Sequence, residues 1–328
     1  MLRSQKLRVD TTVIQAPIEY PTDIGLLADG GRVVTRTVRQ LQAVGAAVRT
    51  VFRTRARSVK RALRTVGAAL RTRTGEAKVV VEQQTAHVLR ITRQVVRQAR
   101  RVLRNSRRAG RQLQGRAASV VQHGRARLCH TLQLTTLVIS QTEQRLRGIT
   151  SIPDRVVSLF DPEARPIRRG KVHARTEFGC KSLLAENEQR VITHYAVLIG
   201  NPGDGDLLAE GLTGHVQVMG RAPRAAATDR GFGSKANEAL LRGLGVPKIS
   251  VPYRGRLSRE RRAHEAQRWF RRLQRWRSGQ EATISLGSRK YAWRASRLRG
   301  YAGADLWLGW GLLTYNLDRL RTLETADG

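Results

Sequence analysis

The chain has 328 residues, with 61 Lys+Arg against 25 Asp+Glu and a formal net charge of +36, so a polyanion is its natural partner and an ordinary neutral enzyme surface is excluded. At 40% apolar residues it can bury a core, which excludes wholesale disorder and points to one large or two medium domains. No apolar run approaches the roughly 18 residues that span a bilayer, the basic N-terminus lacks the apolar stretch of a signal peptide, and two cysteines, Cys129 and Cys180, without CxxC and with only the isolated Cys129-His130 pair, make neither a disulfide framework nor a zinc finger; the chain reads as cytoplasmic.

In chain order, RVDTTVI (8–14) is rich in β-branched residues and reads as a first strand. Residues 31–150 then carry 27 Lys+Arg, 25 of them Arg, and only Glu76, Glu82 and Glu143 as acids. No proline falls between Pro21 and Pro153, which permits long helices. Val34, Val38, Leu41, Val44, Val48, Phe52, Val59, Leu63, Val66 and Leu70 recur mostly at steps of three or four and form one helical stripe. A break at Thr74-Gly75 precedes Val81, Val88, Val95 and Val102 at seven-residue steps, before Gly110, Gly115 and Gly124 loosen the pattern. The spacing predicts a long helical hairpin plus a third helix near 128–147. Arg fills the faces between the apolar stripes. Such a face can be merely solvated, but with so few acids to make i,i+4 pairs it repels itself and gains most from an external polyanion.

Beyond residue 150, KSLLAE (181–186) and RVITHYAVLIG (190–200) read as strands. RAAATDRGF (224–232) reads as a short buried strand ending in a polar turn, ANEALLRGLG (236–245) as a helix closed by Gly, KISVPYR (248–254) as a strand, and 265–286 as a helix. The predicted fold is a mixed α/β sheet with helices packed on it.

Three acids stand out by position: Asp10 within the first strand, Asp229 at the end of the AAATD strand and Glu281 on the late helix. Phosphodiester chemistry uses two divalent cations about 3.5–4 Å apart, and hard cations prefer carboxylates. Taken singly, each acid has a structural explanation: a strand-end cap, a turn residue, an exposed helix position. The seven His are scattered, and no Ser/His/Asp or Cys/His constellation stands out. Asp204 and Asp206 in NPGDGD read first as a turn or helix cap. Lys181 and Arg230 are candidate phosphate contacts or exposed structural cations. On the late helix, Trp269, Phe270, Leu273 and Trp276 read as core packing, with Arg268, Arg271, Arg272, Arg275 and Arg277 around that stripe.

Together, VDTTVIQAPIEYPTDIGLL (9–27), SLFDPEARPIRRGK (158–171), TEFGCK (176–181), LIGNPGD (198–204), ATDRGFGS (227–234) and RWFRRLQRWRSGQEATISL…RLRG (268–300) resemble the bacterial insertion-sequence DDE transposases, in the family's order and over residues 7 to 320. The resemblance implies an RNase H-like core over 1–27 and 151–328, an Arg-rich all-helical insertion over 28–150, and a nucleoid-associated DNA enzyme that uses Mg²⁺ (or Mn²⁺). Asp10, Asp229 and Glu281 correspond to the catalytic, metal-holding acids; water attacks the phosphodiester at the element's end, and the freed 3′-hydroxyl then attacks target DNA. DNA contacts are expected from Arg97, Arg100, Arg101 and Arg104 in the insertion and from Lys181, Arg230, Arg272 and Arg275 near the acids. The partners implied are transposon ends, target DNA and further copies of the chain, with no membrane. Only nine residues precede Asp10 where the family carries a helical region, so a truncated copy is expected, binding DNA without preference for an end sequence. Two other functions compete: a catalytically silent transposase remnant that binds nucleic acid non-specifically, and a basic structural protein of ribosomes or the nucleoid.

Overall fold

The computed structural model describes residues 2–72, 76–168 and 176–327, apart from the side chains of 108–112 and 327. The Thr74-Gly75 break, the end of the 158–171 motif and His173 lie outside the described residues. The chain is mixed α/β and divides into two compact units, one formed by 1–17 with 163–328 and the other by 18–162.

The chain enters the first unit through β1 (Lys6–Gln15) and then builds the second from α1 (Asp23–Ala43), α2 (Ala56–Thr72), α3 (Glu76–Gln112) and α4 (Gly115–Leu146). Thr22 caps α1, its hydroxyl accepting from Gly25 N at 3.2 Å. The expected boundary at 27/28 therefore falls inside a helix whose Leu26, Leu27, Val34, Val38 and Leu41 belong to the helical core. Val88, Val95 and Val102 of α3 and Leu128, Leu132 and Val138 of α4 complete that core, so the seven-residue repeat marks the buried seam. The single stripe expected through residues 34–70 is instead two helices. Gly45 adopts φ +87°, its N–H bonding Gln42 O at 3.1 Å while Ala46 N bonds Leu41 O at 2.9 Å. This glycine-terminated motif ends α1 and leaves Val48 and Val51 exposed. The third helix expected near 128–147 starts earlier, at Gly115, because Gly124 lies flat against Leu41 rather than breaking the helix.

The first unit resumes with β2 (Arg165–Arg168), β3 (Thr176–Asn187) and β4 (Ile192–Leu198), a 3₁₀ turn at Asp204–Leu207, α5 (Leu208–Met219), β5 (Ala225–Thr228), a 3₁₀ turn at Arg230–Phe232, α6 (Lys235–Gly243), β6 (Lys248–Ser250), α7 (Arg259–Ala266), α8 (Arg268–Lys290) and α9 (Gly300–Asp327). Strand order is β2-β3-β1-β5-β6, with β4 also paired to β3. β1 runs antiparallel to β3 and parallel to β5, and β5 runs parallel to β6. Two departures come from backbone chemistry: β6 stops before Pro252, and the helix expected over 265–286 divides at Gln267, which has extended ψ (142°).

Strand alternation sets which helix meets which side chain. Leu7 and Val9 of β1, Leu183 of β3 and Ala226 of β5 pack with Leu208, Leu212 and Leu241 of α5 and α6. The other face meets α8 and α9: Ala225 and Ala227 pack on Leu273, and Ile14 and Leu184 on Trp293, Leu308 and Leu312.

Candidate active site

The parallel register of β1 on β5 pairs Arg8 with Ala227 and Val9 with Thr228. The next residue on each strand is an acid, Asp10 and Asp229, so the two carboxylates leave adjacent strands side by side. Asp229 is pinned by its own turn, Oδ1 accepting from Gly231 N at 2.7 Å.

Helix α8 is fixed over this point by bonds to the strands below. Arg8, buried on β1, donates to Trp276 O at 2.6 Å and pairs with buried Glu186 of β3. Thr283 Oγ1 donates to the same Glu186 at 3.0 Å, and Gln280 Nε2 donates to Leu184 O at 3.0 Å. Burial pushes the Glu186 carboxyl above its ordinary pKa even with Arg8 opposing it. The Arg8 guanidinium also lies 4.9 Å from the Trp276 ring centroid, and Phe270 and Leu273 are buried, so the aromatic stripe packs into the core.

That anchoring delivers Arg277 and, one turn on, Glu281. Arg277 Nη2 lies 2.7 Å from Asp10 Oδ2 and 4.0 Å from Asp229 Oδ2, and Nη1 lies 3.5 Å from Glu281 Oε1. Three acids from three elements thus share one guanidinium. A fourth carboxylate is close by: Asp204 accepts from Thr11 Oγ1 at 3.1 Å and from Lys181 Nζ at 2.6 Å. A Cβ on Gly231 would stand 2.6 Å from Asp204 Oδ2 and 2.7 Å from Asp229 Oδ1, so only glycine lets that turn pass between the two carboxylates.

These residues line a cleft of about 1190 Å³ whose walls also carry Arg168, Arg289 and Arg294. A second cleft of about 890 Å³, lined by Arg230, Arg271 and Arg275, shares Asp229 and Arg277 with the first. The carboxylate set suits a hard divalent cation. As the side chains stand, however, no three His, Cys, Asp or Glu among the described residues form a metal-holding group, and Arg277 supplies the positive charge between the acids.

The expected DNA-contacting residues divide into different settings. Arg230 and Arg275 are exposed at the second cleft, and Arg272 is exposed on α8. Lys181 is buried and engaged within the unit, its Nζ reaching Pro202 O at 2.6 Å as well as Asp204. In the helical unit, Arg97, Arg100, Arg101 and Arg104 are exposed on α3, and Arg90, Arg93 and Arg107 join them. At 3.6 residues per turn these seven occupy about a third of the helix circumference over roughly 26 Å. Glu143 pairs with Arg93, and Arg100 donates to Thr136 Oγ1 at 3.1 Å.

The sequence reading missed the place of Asp204 and the central position of Arg277. For Arg277 a signal existed in its four-residue step to Glu281; for Asp204, a turn motif gives no indication of which cleft it faces. His215, one of the scattered histidines, is fully buried between the Ser4 and Thr193 hydroxyls at 2.9 and 2.8 Å, and burial pushes its pKa down to about 4. No protein-family model, curated protein or solved structure matches this chain.

Proposed function

We propose that the chain is a DDE transposase core that cleaves and rejoins DNA phosphodiesters, with Asp10, Asp229 and Glu281 as its catalytic acids. The observation that carries the reading is their meeting, from β1, the end of β5 and α8, around Arg277 in a cation-walled cleft. The strand order supports an RNase H-like core: β4, β3 and β1 are antiparallel neighbours, and β5 and β6 continue parallel to β1. On this reading residues 18–162 are the helical insertion, and their Arg-covered α3 holds DNA by its phosphates without reading bases.

Asp10, Asp229 and Glu281 would hold Mg²⁺ or Mn²⁺, which when bound activates the attacking oxygen and steadies the leaving one. The chain's own residues do the rest. Gly231 N fixes the Asp229 rotamer, and the Arg8–Glu186 pair and Gln280 fix α8. Arg277 gathers the acids through its Nη atoms while its buried Nε has no hydrogen-bond partner. A guanidinium so partly satisfied can exchange a carboxylate for a phosphate oxygen, which suits the same planar fork.

The competing reading is a silent remnant that only binds nucleic acid, and it is favoured by Arg277 standing where a cation would be expected. Nicking of supercoiled plasmid separates the two. The transposase reading expects Mg²⁺-dependent nicking that is lost in D229N with DNA binding retained; nicking that survives in D229N, or none with either metal, rejects it.

A further inference from the structure

Arg277 stands on the walls of both clefts of the sheet unit. On one side it faces the acids, its Nη atoms lying 2.7 Å from Asp10, 4.0 Å from Asp229 and 3.5 Å from Glu281. On the other side stand cations: Arg230, Arg271 and Arg275 line the second cleft, and Glu265 on that wall is paired with Arg261 at 2.8 Å. The hold of Arg277 on the acids is incomplete. Of its three contacts only that to Asp10 has ordinary hydrogen-bond length. Its buried Nε has no hydrogen-bond partner, and the Glu281 side chain is 70% exposed.

Charge decides which cleft the guanidinium faces. Without DNA, the three arginines of the second cleft repel Arg277 and the acids draw it in. Phosphates in the second cleft reverse that balance, since they neutralise Arg230, Arg271 and Arg275 and suit the planar fork of Arg277 as well as a carboxylate does. Once it turns away, Asp10, Asp229 and Glu281 face one another unneutralised, and like charges so placed favour any cation that replaces it. We infer that Arg277 is an exchangeable occupant of the acid site: it holds the acids in the free chain and turns to phosphate in the second cleft when DNA binds, so that the affinity of the acids for a divalent cation is set by DNA. The inference rests on the acid cleft being a metal site. It also removes the support that Arg277 lends to a silent remnant, because a cation that leaves on DNA binding does not block the site. Coupling of this kind is reciprocal, so the divalent cation tightens DNA binding by the same factor.

Mn²⁺ binding to the full chain, read from the loss of the free-ion paramagnetic resonance signal, tests the exchange without recourse to activity. Without DNA, R277Q should bind Mn²⁺ about tenfold more tightly than wild type, an ordinary size for coupling between two ligands. A short duplex, with the Mn²⁺ it binds by itself subtracted, should tighten wild-type binding about tenfold and R277Q binding by less than about twofold. The wild-type arm stands without the variant and decides the matter where R277Q folds poorly, which circular dichroism checks. Equal affinity in wild type and R277Q, weaker binding in a folded R277Q, or a duplex that leaves wild-type affinity unchanged overturns the exchange and leaves the acid site standing. Mn²⁺ binding that survives D229N rejects the acid site itself, and the exchange with it.

Discussion

The two compact units of this chain handle charge in opposite ways. In the sheet unit the central ionised groups are held in fixed pairs: Arg8 meets Glu186 and Lys181 meets Asp204 in the interior, and Arg277 meets buried Asp10 beside the more exposed Asp229 and Glu281. In the helical unit, with three acids over residues 31–150, arginines cover solvent-facing sides of helices whose seams are Val, Leu and Ile. Burying a charge costs several kcal/mol unless a partner is fixed beside it, so the first arrangement specifies a geometry. Exposed like charges cost little individually and specify no geometry, and what they provide is a field. On the proposed function, the site that acts on particular atoms lies in the first unit and the surface that holds a polyanion of any sequence lies in the second.

The sharpest way to break this contrast is to remove charge from each unit and compare the effects. In the cleft, D229N should lower Mg²⁺-dependent nicking by about 1,000-fold, roughly 4 kcal/mol of barrier, and leave DNA affinity within about twofold; E281Q should behave alike in the same plasmid assay. Beneath the cleft, R8M leaves Glu186 buried without its cation, and urea unfolding should show a loss of about 3–5 kcal/mol, which R8M/E186L together largely restores. On α3, R97Q/R100Q/R101Q/R104Q should weaken binding to every duplex alike. It should lower the slope of log K against log salt by about 0.9 for each phosphate that is no longer neutralised, with nicking per bound complex unchanged. An unchanged slope would reduce this face to a solvated one.

The smallest effect is a pH dependence. His215 has its folded pKa depressed to about 4 from an ordinary 6.5. Its contribution is complete above 6.5 and is lost as pH falls toward 4, because the unfolded chain takes up the proton first. Tm should therefore fall across that window, and H215Q should flatten that part of the profile.

Legibility in the sequence followed the same division. The heptad valines of α3 were readable because a periodic apolar seam is a local pattern, and β1, β3, β4 and β5 were readable from β-branched and apolar runs between turns. Helix α9 was not, because a helix apolar on both faces has no periodicity to read. The break after α1 was hidden because Gly45 sits in an otherwise unbroken stripe, and only its left-handed backbone reveals the stop. At the cleft, Asp10, Asp229 and Glu281 stand out in the sequence by their positions on two strands and a helix, and the motifs of the resemblance pick out the same three. Their approach to Arg277 depends on the β1–β5 register and on the Arg8–Glu186 anchor, which join residues about 220 and 180 positions apart. Local spacing carries no trace of such pairings.

Direct measurement of Mn²⁺ binding, by the loss of the free-ion paramagnetic resonance signal, tests the central claim that these three acids make one site. Wild type should bind Mn²⁺, and D10N, D229N and E281Q should each lose that binding in parallel with nicking. Mn²⁺ binding untouched by all three substitutions would contradict it.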